Sequence, residues 1–156
     1  MTPELVTLLK REEGYRALPY LCPAGYPTIG YGHRIPSLVH PALTVQEAEE
    51  LLLWDLRLAE RGALALAPNL AAQPRRLAAL TDLVFNVGRD ALDGVSPSDL
   101  TDDAGVVQCL RASDWAGAAV RFRQWDHARV NGALIELPGL KRRREIGARW
   151  IEEGDA

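Results

Sequence analysis

Cysteine is scarce in this 156-residue chain. Its two copies, Cys22 and Cys109, stand far apart and in no metal-ligand spacing, so neither a disulfide framework nor a zinc site is the default reading. Long apolar runs are also missing, and no window approaches the roughly 18 residues of a membrane span. Met1-Thr2-Pro3-Glu4 lacks the basic and apolar regions of a signal peptide, so a protein that first resides in a cytoplasm is expected. Histidine is limited to three residues. His40 and His127 sit in no paired ligand pattern, and no metal is implied. There is no internal repeat and no low-complexity linker. What remains, 47% hydrophobic and 25% charged side chains, is the composition of one compact domain with a genuine core.

A net charge of -3 argues against a dedicated nucleic-acid binder. The distribution is uneven. Residues 35–110 carry five basic and eleven acidic side chains, whereas residues 111–149 carry nine and four.

Thr2 as N-cap and Pro3 at the first helical position predict a helix with Leu5, Leu8 and Leu9 on one face, stopping at Gly14. Glu12 and Glu13 then lie in its last turn. From Pro19 to His33 the chain turns to aromatic, β-branched, Gly and Pro residues, as suits short strands and tight turns. It is the only β region the sequence declares. Thr44-Val45-Gln46-Glu47 is a capping-box pattern opening a long helix to about Ala67. Pro74 opens another with Leu77, Leu80, Thr81, Val84 and Phe85 on its apolar face and Gly88 after its end. Thr101 and Ser113 are expected to cap helices around 104–111 and 114–125, and Pro138 to open a last one through Trp150. Trp54, Trp115 and Trp150 are expected in the core. Cys109, among Val106, Val107 and Leu110, reads as a packed core thiol.

Chemistry concentrates in Leu9-Lys10-Arg11-Glu12-Glu13-Gly14, Tyr20-Leu21-Cys22 and Pro27-Thr28-Ile29-Gly30-Tyr31-Gly32-His33. A helix C-terminus disfavours an ionised carboxylate unless an arginine compensates, so a glutamate there can serve as a general acid. On periodicity alone, however, Glu12 and Glu13 read as solvated surface residues and the glycines as turn formers.

Linked motifs overturn that plain reading. Glu13-Gly14, nine residues to position 22, six more to Thr28, and then Thr-Ile-Gly-x-Gly-His resembles the phage lysozyme family of T-even and lambdoid type. Asp82-Leu83-Val84-Phe85-Asn86-Val87-Gly88 is similar to the family's Phe-Asn-x-Gly helix end. Leu137-Pro138-Gly139-Leu140-Lys141-Arg142-Arg143-Arg144-Glu145 resembles its Arg-rich C-terminal segment.

The resemblance implies an α+β, mostly α, lysozyme-like fold of two lobes. Within a single domain spanning 1–156, residues 1–43 and part of the C-terminal region would form the small-lobe side, 44–67 the connecting helix and 68–156 the helical lobe. It implies Glu13 as general acid and Thr28 as the residue near the attacking water. Cys22 departs from the aspartate common at its position, and is expected either to position water weakly or to act as a thiolate. One of Arg142–Arg144 is expected to reach Glu13, and His33 to serve as scaffold. Tyr31, Trp125 and Asn131 are expected to line the substrate cleft, whereas Asn86 suits a helix end as well as a sugar contact.

The implied activity is hydrolysis of the β-1,4 bond between N-acetylmuramic acid and N-acetylglucosamine in peptidoglycan, causing host-cell lysis. A lytic transglycosylase and an inactive wall-binding protein are the alternatives. No cofactor is implied. Peptidoglycan carboxylates would be drawn to the basic 111–149 segment. The family reading further implies a monomer with no stable membrane association, held in the host cytoplasm until a separate holin-type pore releases it to the wall.

Overall fold

The computed structural model describes residues 1–22, 25–92, 103–130 and 133–155. Two compact units, Met1–Leu58 and Ala59–Ala156, meet within one continuous helix. The fold is α+β and mostly helical.

In the first unit, helix α1 (Pro3–Glu13) starts where the Thr2 side chain accepts from Leu5 N–H at 3.4 Å, and ends with the Gly14 N–H on the Lys10 carbonyl at 3.3 Å. Strands β1 (Arg16–Leu21), β2 (Pro27–Gly30) and β3 (His33–Arg34) form an antiparallel sheet in that order. Tyr20 pairs with Thr28 and Thr28 with Arg34, while the register shifts between Arg16 and Tyr20. Leu5, Leu8, Leu9 and Ile29 are buried with Ala48, Leu52 and Leu56. Those last three belong to α2 (Val45–Leu66). Its capping box is complete: Glu47 N–H donates to Thr44 Oγ1 at 3.2 Å and Thr44 N–H to Glu47 Oε2 at 2.7 Å. Those bonds from Thr44 hold the Glu47 carboxyl below the usual carboxylate range. At Gly30, φ is +65° and an added Cβ would stand 3.1 Å from that of Ala48, so the hairpin needs glycine there.

The second unit holds the rest of α2, then α3 (Pro74–Val87), α4 (Asp103–Arg111), α5 (Trp115–Arg123), α6 (Pro138–Glu153) and a hairpin of β4 (His127–Val130) and β5 (Ala133–Glu136). Helix α6 packs on α3 and α5. Gly147 and the fully buried Phe122 permit that close approach, since a Cβ at Gly147 would lie 2.5 Å from the ring.

Several expectations need correction. The β4–β5 pair adds a second β region after the Pro19–His33 stretch. Ser113 does not cap α5. It takes φ 57° as the second residue after α4, with its N–H on the Leu110 carbonyl and the Asp114 N–H on that of Cys109. This is a Schellman-type helix end, and Asp114 caps α5 through Gly117 N–H at 3.0 Å. The expected Thr101 cap lies outside the described residues. Helix α6 continues three residues past Trp150, to Glu153. Trp150 is in the core, but Trp54 is 56% exposed on α2 and Trp115 is half-buried beneath the Arg76 guanidinium. Cys109 is half-buried rather than fully packed. Among the described residues no helix is long and apolar enough to cross a membrane.

Candidate active site

Glu13 is the last residue of α1 and half-buried, as the cap signals at both helix ends require. The sheet supplies its neighbour. Gly32 has φ +85°, and a Cβ there would stand 3.4 Å from Glu13 Oε2. Glycine at this turn therefore provides both the left-handed backbone and the space beside the carboxylate.

Cys22 follows β1 and is half-buried; its N–H donates to the Tyr26 carbonyl at 3.0 Å and its carbonyl accepts from Gly25 N–H at 2.8 Å. Thr28, on β2 and 2% exposed, donates its hydroxyl to the same Tyr26 carbonyl at 2.9 Å. One backbone oxygen thus ties the two residues together. With its proton committed there, the Thr28 hydroxyl is left as an acceptor with fixed lone pairs, able to take a hydrogen bond from water.

Tyr20 was not among the sequence candidates. It faces Thr28 across the β1–β2 ladder and lies two residues before Cys22, hence on the same side of the extended chain. Arg16 stacks 4.4 Å from its ring. Burial pushes the Tyr20 phenol up, Arg16 opposes this, and Glu13 and Cys22 reinforce it. The phenol therefore stays protonated, within electrostatic reach of both residues.

The scaffold is polar and tied. His33 Nδ1 lies 2.8 Å from Asp55 Oδ2, linking β3 to α2, which suits its structural reading. Lys10 pairs with Glu49, which raises the Lys10 ammonium, and lies 5.9 Å above the Tyr31 ring. Tyr31 is 7% exposed and tilted against Tyr15 at 5.8 Å. Little of its ring is therefore open to solvent. Trp125 is half-buried, and Asn131 lies outside the described residues.

In the second unit, the arginine run is largely structural. Asp82, 1% exposed, accepts from Arg143 Nε at 2.8 Å and Arg144 Nη1 at 3.2 Å. Arg144 is fully buried and also donates to the Trp125 carbonyl at 3.1 Å and to Asn86 Oδ1. Asn86 is thereby engaged at its helix end. Burial pushes the Arg144 guanidinium down to about 10, with Asp82 opposing and Arg143 reinforcing the fall, so it stays charged at neutral pH. The sequence signal for this cluster was an acid at position 82 inside the mostly apolar run of α3, since a buried carboxylate needs a cationic partner. Near the start of β4, Asp126, His127 and Glu136 bring potential ligand atoms within 4.8 Å of one another.

A small sheet against a short helix, a long helix shared by two units and a helical second unit define a lysozyme-like protein. The phage lysozyme family model matches residues 10–146, and the chain belongs to that family. It is 33% identical over 141 residues to an endolysin of Acyrthosiphon pisum secondary endosymbiont phage 1, covering 90% of this chain and 89% of that protein. It is 31% identical over 148 residues to the endolysin of Salmonella phage P22, at 90% and 92% coverage. Among solved structures, the muramidase domain of SpmX from Asticaccaulis excentricus superposes with a TM-score of 0.75 at 27% identity, covering 96% of this chain and 95% of that one.

Proposed function

We propose that this phage lysozyme is a muramidase that hydrolyses the β-1,4 bond between N-acetylmuramic acid and N-acetylglucosamine in peptidoglycan. The observation that carries this reading is Glu13 at the end of α1, beside Gly32 on the sheet that holds the linked Cys22 and Thr28. Protonated Glu13 gives its proton to the glycosidic oxygen as the bond to the sugar's anomeric carbon breaks. Water adds to that carbon, with the Thr28 hydroxyl accepting one of its hydrogen bonds, and the proton that the water releases passes to solvent, from which Glu13 is reprotonated for the next turnover. Cys22, a neutral and weak acceptor, assists in placing the water and supplies no charge.

Peptidoglycan is the substrate, the working form is a monomer, and the protein stays in the host cytoplasm until a separate pore lets it reach the wall. The absence of a carboxylate at Cys22 favours one second reading, a lytic transglycosylase in which the sugar's own hydroxyl attacks. Clearing of outer-membrane-permeabilised cells tests for an enzyme, and mass analysis of the released sugars tests the reaction. Reducing muramic-acid ends support hydrolysis. Anhydro ends would replace it with the transglycosylase, and no clearing by folded protein would leave a binder.

A further inference from the structure

Three ligand-bearing side chains outside the catalytic region converge at the base of the β4–β5 hairpin. His127 and Glu136 are directly paired across β4 and β5, so their side chains share one face. Asp126 precedes β4, and its carbonyl accepts the Leu137 N–H at 2.9 Å, which extends the ladder by one step. The ladder sets His127 and Glu136 on one face, and the Asp126 carboxylate, from the residue before β4, has a ligand atom within 4.8 Å of theirs.

Asp126 supplies an independent observation. The residue is 9% exposed, and its Oδ1 is wholly buried and makes no hydrogen bond. His127 Nδ1 stands 2.5 Å from that oxygen, but not in hydrogen-bond geometry. The two atoms form an ion pair only while the imidazole is protonated; without that charge the buried oxygen has no partner, which is costly, and a cation shared with the imidazole nitrogen satisfies both atoms.

We propose that Asp126, His127 and Glu136 bind one divalent transition-metal ion of the zinc type, clasping the base of the β4–β5 hairpin. One imidazole nitrogen with two carboxylate oxygens suits zinc, whereas magnesium and calcium favour sites made wholly of oxygen. The protein supplies three ligands and water the fourth. Lys141 is the resident competitor, with Nζ at 3.0 and 3.1 Å from the two Glu136 oxygens. Its side chain is 62% exposed, so the ammonium can move into water as the dication binds. The clasp would tie the turn after α5 to the strand that leads into α6.

Calorimetric titration of the whole purified chain with zinc chloride tests the site, with magnesium chloride as control. The expected result is one saturable zinc site per chain, no magnesium heat, and a rise in Tm of about 3 °C or more at saturating zinc. His127→Ala and Glu136→Gln, both at exposed positions, should each weaken zinc binding by about tenfold or more while leaving the circular dichroism spectrum unchanged. The absence of saturable zinc binding overturns the proposal. So does binding that survives both substitutions, because the ion would then sit on other groups, such as the two cysteines.

Discussion

At the residue scale, Glu13 and Glu12 are adjacent carboxylates with different surroundings. Glu12 accepts from the Arg11 guanidinium at 2.9 and 3.1 Å, whereas Glu13 faces the glycine turn at Gly32. Glu13→Gln should leave a cooperatively folding protein with lytic turnover reduced by about a hundredfold or more, while Glu12→Gln stays close to wild type. A turbidity assay normalised to folded protein measures both, and a reversed order would move the acid to Glu12. Cys22 carries a second prediction. Cys22→Ala should impair lysis without unfolding the protein, and Cys22→Asp should preserve or raise it by restoring charge that stabilises the developing cation. Wild-type turnover in Cys22→Ala would remove the thiol from the chemistry. The position of Glu13 was legible because Thr2, Pro3 and Gly14 bracket α1 with capping chemistry. Tyr20 was not, because the register shift between Arg16 and Tyr20 decides which face it joins, and a one-residue slip reverses that face.

At the element scale, the helices were readable from their caps and the second hairpin was not. Asn131-Gly132 between two short runs is a hairpin signal, but runs of four residues mixed in polarity on either side do not declare strands by themselves. Ser113 misled because serine is a common N-cap, while its left-handed backbone is set by how α4 ends. The α5–α6 packing depends on Gly147. Gly147→Ala should destabilise by about 1–3 kcal/mol through overpacking against Phe122, despite alanine's higher helix propensity, as a denaturant midpoint would show. Arg123 also joins these helices, at 2.8 Å from Glu145 and 2.9 Å from Glu152. Its guanidinium holds both carboxyls below the usual carboxylate range. For acids depressed in the folded state, the stabilisation is present above the unfolded pKa and is lost as pH falls through the folded values. The Tm gap between wild type and Arg123→Met should therefore be largest near neutral pH and close as pH falls below about 4.5. Both carboxylates are largely solvated, so the gap should also shrink with added salt.

At the scale of the whole molecule, fold class was legible because periodicity, caps and the spaced Glu13–Cys22–Thr28 motif agreed along nearly the entire chain. The polar interior of the second unit was not. Nothing local to Asp82 reveals that Arg143 and Arg144, some sixty positions away, will cover it. Asp82→Asn should cost about 3–5 kcal/mol, because it removes the buried carboxylate that accepts from both guanidiniums. Chemical denaturation measures this, and a loss below about 1 kcal/mol would show that water reaches the cluster. The same cluster has a consequence for folding kinetics. Arg144 must shed its water to reach Asp82, and the contact closes a loop of 62 residues, so it forms late, after the local turns of α3 and α6. Weakening it should therefore leave the refolding rate nearly unchanged and appear mostly as faster unfolding, making this buried charge pair a latch on the lifetime of the native state.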